Sequence, residues 1–392
     1  MIKSVIVSAA RTALASFQGG LSQMKSTELG SIVVSESLKR ACVESRDVDE
    51  VVMGCVLPAG LGQSPARQAA LGAGLPKEVN VLTINKVCSS SLYAVMLADK
   101  IIRSGDSNVI VAGGMESMTN APYILPNARA GLRLGDGKIV DSMIFDGLWD
   151  IFTNQHMGNC AELCAAKYGF TRELQDVFAI DSYKKANAAI ADGLFKDEIV
   201  AVAILQKKGE PAIFDTDEEP GRVNYDKLTK LKASFKKDGT VTPANASSIS
   251  DGAAACVVMS EDAAKKRGLK PLAKIVSHAT FSQVPEWFTT APVGAIKNAL
   301  GKAGLKIPDI DLFEINEAFS VVAMAATQEL NIDTKKVNVN GGSVAMGHPI
   351  GASGARILTT LLYAMKHRGA KRGLATLCNG GGEATAMIVE VL

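Results

Sequence analysis

This sequence predicts an α/β protein made of two similar halves with a long inserted stretch, and three observations carry that prediction. Short β-branched runs alternate with amphipathic helical patterns along most of the chain. Apolar residues make up 47% of the sequence while aromatics make up only 5%, a Gly- and Ala-rich balance that suits closely packed helices and sheets and excludes a disordered chain. At 392 residues the chain exceeds what one hydrophobic core usually serves, so at least two core units are expected.

The strand-like runs are Val5–Val7, Val51–Met53, Val109–Val111, Cys256–Met259, Leu312–Ile315, Leu374–Leu377 and Met387–Val391. Between them lie helical patterns such as Leu92–Ile102, where Leu92, Val95, Met96 and Ile102 share one face. This rhythm predicts a largely parallel sheet covered on both sides. The halves also echo each other. In the first, a strand ends in a turn with Cys88, a helix follows, and a strand VIVAGG runs into Met115 and Glu116. In the second, a turn with His348 precedes an Ala-rich helix from about Ser353 and a strand, LATLCNGGGE, containing Cys378. Duplication explains the echo, and so does the general likeness of α/β units. Residues 119–249 break the rhythm with Pro122, Pro126 and a charged segment from Lys207 to Lys237. They read as a loop domain, either a cover for a substrate or a solvated insertion.

A formal net charge of +2 argues against nucleic acid or an anionic membrane as the main partner. Seven irregularly spaced cysteines argue against a disulfide framework and for a reducing compartment. The opening MIKSVIVSAARTA reads as a first strand, the closing MIVEVL carries no peroxisomal tripeptide, and no apolar run is long enough to span a bilayer. A cytoplasmic protein is the expectation.

Four segments carry candidate chemistry. Cys88, in INKVCSSSLYAVM, precedes an apolar helix; a thiol there feels the positive end of the helix dipole, which is expected to lower its pKa below about 8.5, while free N–H groups can hold an oxyanion. A small buried residue is the plainer reading. His348 stands among five glycines of NVNGGSVAMGHPIGASGARIL, where a neutral imidazole can take a thiol proton. Cys378 closes a strand before three glycines, leaving room for a substrate beside its sulfur, or simply packing there. In EINEAFS, Asn316 positions a water or caps the next helix, with Glu314 and Glu317 beside it. Cys160 and Cys164 lack further ligands and read as packing residues, not metal ligands, and His278 and His367 read as ordinarily solvated.

Together these segments resemble the thiolase family nearly end to end. NKVCSSS resembles the family's acylation turn, NEAF and GHPIGASG stand in full, and CNGGG resembles the terminal Cys-x-Gly-Gly-Gly turn. SSISDGAAA is similar to the coenzyme-binding segment, and QHMGNCAE to the loop over the pantetheine. The resemblance implies a five-layer αβαβα core. Residues 1–118 with 250–271 would form one half, 119–249 the loop domain covering the CoA site, and 272–392 the other half.

It also implies a reaction: reversible Claisen condensation of two acetyl-CoA to acetoacetyl-CoA and CoA through an acyl-Cys88 intermediate. A degradative 3-ketoacyl-CoA thiolase of broader chain length is the alternative, and the HMG and AFS tripeptides lean towards short acyl groups. Cys88 is implied as nucleophile, His348 as its base, and Cys378 as the base at the α-carbon. One oxyanion would be held by His348 with a water on Asn316, the other by the N–H groups of Cys88 and Gly380. Ser247, His156, Met157 and Phe235 match positions around the pantetheine; Leu148, Ala318 and Phe319 match the acyl walls. Lys227, Lys230 and Lys232 are open to CoA phosphates or to solvent alone. No cofactor or metal is implied beyond CoA as substrate and product, and the family's habit predicts a homotetramer, a dimer of dimers. Three departures bear on substrate range: Ser91 where Gly is usual, EWFTTAP with Trp287 and Phe288 near the pocket entrance, and Glu383 where a neutral residue is usual.

Overall fold

The computed structural model describes residues 2–392. Its main strands are β1 (Ser4–Thr12), β2 (Glu50–Gly54), β3 (Asn80–Ile84), β4 (Val109–Ser117), β5 (Ser250–Ser260), β6 (Ala273–Ser282), β7 (Leu312–Ile315), β8 (Arg372–Asn379) and β9 (Glu383–Glu390). Its main helices are α1 (Ser26–Ala41), α2 (Pro65–Gly72), α3 (Ser90–Ser104), α4 (Met157–Tyr168), α5 (Arg172–Ala191), α6 (Ala291–Ala303), α7 (Ser320–Glu329) and α8 (Ser353–Arg368). All seven strand-like runs fall on strands, although Val391 lies just past the end of β9.

The strands join in the order β7-β8-β9-β6-β1-β5-β4-β2-β3. The sheet is mixed, which corrects the expectation of a largely parallel one. Only β2 with β3 and β4, and β7 with β8, are parallel among these main pairs; β1, β5, β6, β8 and β9 run antiparallel to their neighbours along the middle. One cause is legible in hindsight. β8 and β9 are joined by Gly380, Gly381 and Gly382, and the last two have φ of +88° and +79°, a tight reversal that only antiparallel partners use.

Three apolar clusters divide the body into five layers. One packs α1 and α2 on β1, β2, β4 and β5. A second packs α6 on β6, β8 and β9. Between the two sheet halves α3 and α8 lie side by side in a core shared with both, and α8 is buried over most of its length. Their approach depends on Gly354: a Cβ there would stand 2.4 Å from the backbone nitrogen of Leu92. The echoed units are thus the central layer, and each of these helices follows a turn that carries a candidate residue. Residues 119–249 supply α4, α5 and short hairpins, and Ile199–Val200 from this stretch pairs with β1. No helix among the described residues is long and apolar enough to cross a membrane.

Candidate active site

Where the inserted stretch meets the two central turns, a cavity of about 500 Å3 is lined by Cys88, His348, Cys378 and Gly380. Leu148, His156, Met157, Phe235, Ser247, Ala318 and Phe319 line the same cavity. Asn316 is the one implied catalytic residue outside this lining, and its Nδ2 stands 3.5 Å from His348 Nε2; Lys227, Lys230 and Lys232 also lie outside it. It does not cap α7, whose N-cap is Phe319. A larger cleft of about 580 Å3 between α5 and α7 contains neither thiol nor His348.

Cys88 sits on a turn whose strain nothing in the sequence announces. Val87 has φ of +47°, a conformation a β-branched side chain rarely adopts, and it is held there by Ser90 Oγ donating to its carbonyl at 2.6 Å. The turn delivers the sulfur to the backbone N–H groups of Gly380 and of Cys88 itself. Burial nevertheless pushes the thiol up to about 12, outweighing those N–H groups, and Glu116 adds to the rise. The lowering expected from the helix start is therefore outweighed by burial. A helix terminus offers up to about 2 kcal/mol, whereas burying an unpaired charge costs considerably more.

The tautomer of His348 follows from its neighbours. Ser353 Oγ donates to Pro349 O at 2.8 Å, so it accepts from His348 Nδ1–H at 2.6 Å, leaving Nε2 as the lone-pair nitrogen. Burial first, and the charge of Arg356 second, take this imidazole down to about 3, so it is neutral at physiological pH. Asn316 is oriented by the same reasoning. Arg356 can only donate, and its Nη2 does so to Ser343 Oγ; Ser343 in turn donates to Asn316 Oδ1 at 2.6 Å. The amide N–H of Asn316 is thereby turned towards His348.

Cys378 lies fully buried on β8 opposite Ala384, and burial and then the neighbouring Cys88 raise its pKa well above the ordinary range. His156 stacks on Phe235 with ring centroids 4.6 Å apart and caps α4 by accepting from Gly158 N at 3.0 Å. Ser247 N and Oγ both donate to Ala318 O, tying the inserted stretch to the NEAF segment.

Residues that sequence reasoning missed stand directly behind this cavity. Buried Glu116 accepts N–H bonds from Val56, Leu57 and Gly351, pinning the GHPIG turn to the end of β2, and burial raises its carboxyl to about 7. Ser353 had a signal in its place inside GHPIGASG; Ser343, Arg356 and Val87 had none.

The three departures resolve differently. Ser91 does not crowd its neighbours: its hydroxyl accepts from Ala355 N at 2.9 Å and caps the first turn of α8. Phe288 forms a cavity wall with its ring edge-on to Phe319, while Trp287 is outside the lining and carries Lys167 Nζ 4.6 Å from its ring centroid. Glu383 pairs with Lys86 at 2.5 Å. Cys160 and Cys164 are buried in α4, and no cluster fit to hold a metal occurs among the described residues. His278 is a correction: it is mostly buried, and its Nε2 lies 2.9 Å from Asp99 on α3.

Two thiols, a neutral imidazole with a free Nε2 and convergent N–H donors in one enclosed space define an acyl-transferring enzyme. The chain belongs to the thiolase family. Residues 4–262 match the family model for the thiolase N-terminal domain and residues 269–391 that for the C-terminal domain. An acetyl-CoA acetyltransferase of Cupriavidus necator is 54% identical, with 100% of both chains covered. One of Syntrophomonas wolfei is 52% identical over 99% of each. Acetyl-CoA acetyltransferase 2 of Arabidopsis thaliana is 52% identical over 99% of this chain and 96% of its own. The crystal structure of Acat5 thiolase from Ascaris suum in complex with coenzyme A superposes with a TM-score of 0.95 at 44% identity, covering both chains fully.

Proposed function

We propose that the protein is an acetyl-CoA C-acetyltransferase that condenses two acetyl-CoA to acetoacetyl-CoA and CoA, and runs the reverse thiolysis. The observation that carries this is the convergence of Cys88, Cys378, His348 and Gly380 on one cavity, together with full-length relatives bearing that name.

The site rests neutral, with protons on both sulfurs and none on His348 Nε2. As Cys88 attacks the thioester carbonyl, its proton moves to Nε2, and the growing oxyanion meets the N–H groups of Cys88 and Gly380. The carbonyl–sulfur bond breaks, Cys378 gives its proton to the departing CoA sulfur, and the site holds acyl-Cys88 with an imidazolium and a thiolate. That pair is net neutral, so burial that opposes each charge alone is offset by their attraction. The Cys378 thiolate then removes an α-proton from the second acetyl-CoA. The enolate oxygen is stabilised by His348 and by donors on Asn316, and its carbon attacks the acyl group. Cys88 leaves as thiolate and recovers its proton from Nε2, closing the cycle.

Phe288, Phe319, Leu148 and Met157 wall the cavity, which favours a short acyl group over a long one. Thiolysis of acetoacetyl-CoA against a series of longer 3-ketoacyl-CoAs tests this reading; a preference for long chains would transfer the protein to the degradative alternative. His156, Phe235 and Ser247 are the proposed pantetheine contacts.

A tetramer is supported by unpartnered apolar surface in two places: Leu82 on the sheet-edge strand β3, and Leu132, Leu134 and Ile139 on the loop around the Tyr123–Ile124 hairpin. Light scattering on the purified protein should give four times the 41.1 kDa chain mass. Seven free cysteines, six of them buried, support a reducing cytoplasmic location.

A further inference from the structure

Lys86 and Glu383 belong to the two turns that face each other across the halves, one leading into the nucleophile and the other leaving the three-glycine hairpin. Their side chains meet at 2.5 Å, and both are less than one-third exposed. Glu383 is held from its other side as well, by Ser282 Oγ donating to Oε1 at 2.9 Å. Asn379 lies between the turns. Its Oδ1 accepts from Ser89 Oγ, next to the nucleophile, at 2.7 Å. Its Nδ2 donates to Gly380 O at 3.0 Å and to Glu383 Oε2 at 3.3 Å. A carboxylate and a carbonyl only accept, so Glu383 and Gly380 O together set which way the Asn379 amide faces: nitrogen towards Glu383 and Gly380 O, oxygen towards Ser89. The residue held in this manner through its carbonyl, Gly380, also supplies, from the preceding peptide unit, the N–H that hydrogen-bonds the Cys88 sulfur and lowers its pKa.

We propose that Glu383, clamped by Lys86, is a positioning residue for this reaction: it sets the Asn379 amide so that the Gly380 N–H is held on the Cys88 sulfur and on the oxyanion that forms beside it. The inference rests on the acyl-Cys88 reading above. As a stability device the pair contributes little, because partly exposed ion pairs are weak. Its value is geometric, since a shift of about 1 Å in a catalytic group can cost a hundredfold in rate. What position 383 must supply is an acceptor and not merely a charge opposite Lys86.

Three variants separate these possibilities. In Glu383→Gln the side-chain oxygen still accepts from Lys86 and Asn379, and kcat should stay within about threefold of the parent. Glu383→Leu removes the acceptor; thiolysis kcat should fall about tenfold, part of the two to three orders that a wholly lost oxyanion donor costs, with KM for CoA within twofold. In the exchange Lys86→Glu with Glu383→Lys the ion pair is rebuilt but a donor faces Asn379, and kcat should remain as low as in Glu383→Leu. Alkylation of Cys88 by iodoacetamide across pH, which needs no CoA substrate, reads the same strap. A loosened Gly380 N–H stabilises the thiolate less, so the profile of Glu383→Leu should move to higher pH while His348, Cys378 and Glu116 around the sulfur are unchanged. Asn379→Asp, which cannot donate to Gly380 O or Glu383, should repeat the Leu phenotype and serves if Glu383→Leu loses its cooperative melt. Full rescue by the charge exchange, an unmoved alkylation profile, or a loss confined to KM would each overturn the proposal. A parent enzyme inactive on acetoacetyl-CoA that still showed the alkylation shifts would instead sink the functional reading and leave the strap standing.

Discussion

The two sulfurs of the cavity are placed by opposite means. Cys88 rides a strained turn, with Val87 at φ +47° and N–H groups converging on it, so it stands where an attacking atom and an oxyanion both find donors. Cys378 sits in the regular ladder of β8, fully buried, facing Ala384 across an antiparallel pair. A nucleophile has to approach a carbonyl along a defined line and stabilise the product of its attack, which justifies local strain. A base that removes a carbon-bound proton needs fixed position and dry surroundings, and a central strand offers both.

The sharpest way to break this comparison is to remove the second sulfur alone. Cys378→Ser should lower condensation by about three orders of magnitude, within the range of general acid–base contributions, because a hydroxyl is a far weaker acid than a thiol. Single-turnover acylation of Cys88 by acetyl-CoA, which breaks only the thioester bond and releases CoA, should persist at a reduced rate. Labelling of Cys88 that vanished together with condensation would show that the two sulfurs do not divide the work in this way.

A second expectation concerns the imidazole between these roles. Ser343→Ala frees the Asn316 amide to turn over, presenting oxygen where the enolate needs a donor, and should cost about a hundredfold in condensation. Arg356 lies further back, yet its charge helps to depress the His348 pKa. Arg356→Met should therefore raise that pKa, and the acid limb of kcat/KM, expected well below pH 6 in the parent, should move upward. An acid limb that did not move would mean that Arg356 acts on His348 only through packing.

How much of this was legible in the sequence follows from what each residue depends on. The strand runs and the α3 pattern were readable because period and β-branching are local, and GHPIGASG with CNGGG marked the turns because glycines are required where the chain reverses. The direction of β5 was not readable, unlike the β8–β9 reversal at its three glycines: β5 returns to β1 and β4 only after the long inserted stretch, and nothing local encodes its antiparallel pairing. The thiol pKa was misjudged because the helix end is visible in sequence while burial, the larger effect here, is a property of the assembled halves. Arg356, Ser343 and Glu116 escaped notice for the same reason, since each acts through partners remote in the chain.

The smallest effect tests whether every link between the halves matters to chemistry. Asp99 on α3 and His278 on β6 join the central helix to the second half through a 2.9 Å contact, remote from the cavity lining, with Arg103 also on the carboxylate. Burial by itself would raise the Asp99 carboxyl, but the hydrogen bond from His278 and the charge of Arg103 hold it below the ordinary carboxylate range. A carboxyl whose folded pKa is depressed contributes stability above its unfolded value, and that contribution is lost as pH falls through the folded value. His278→Leu should therefore destabilise the protein by about 1 kcal/mol at neutral pH, the low end for a buried acceptor that loses one partner and keeps another. The deficit should narrow below about pH 4, where the unfolded carboxyl begins to bind its proton. Thiolysis kcat should stay within twofold, in contrast to Glu383→Leu. Denaturant melts at several pH values together with a rate measurement decide it: a tenfold fall in kcat in His278→Leu would mean that the halves transmit strain to the thiols through their whole interface, and the strap at Glu383 would lose its special standing.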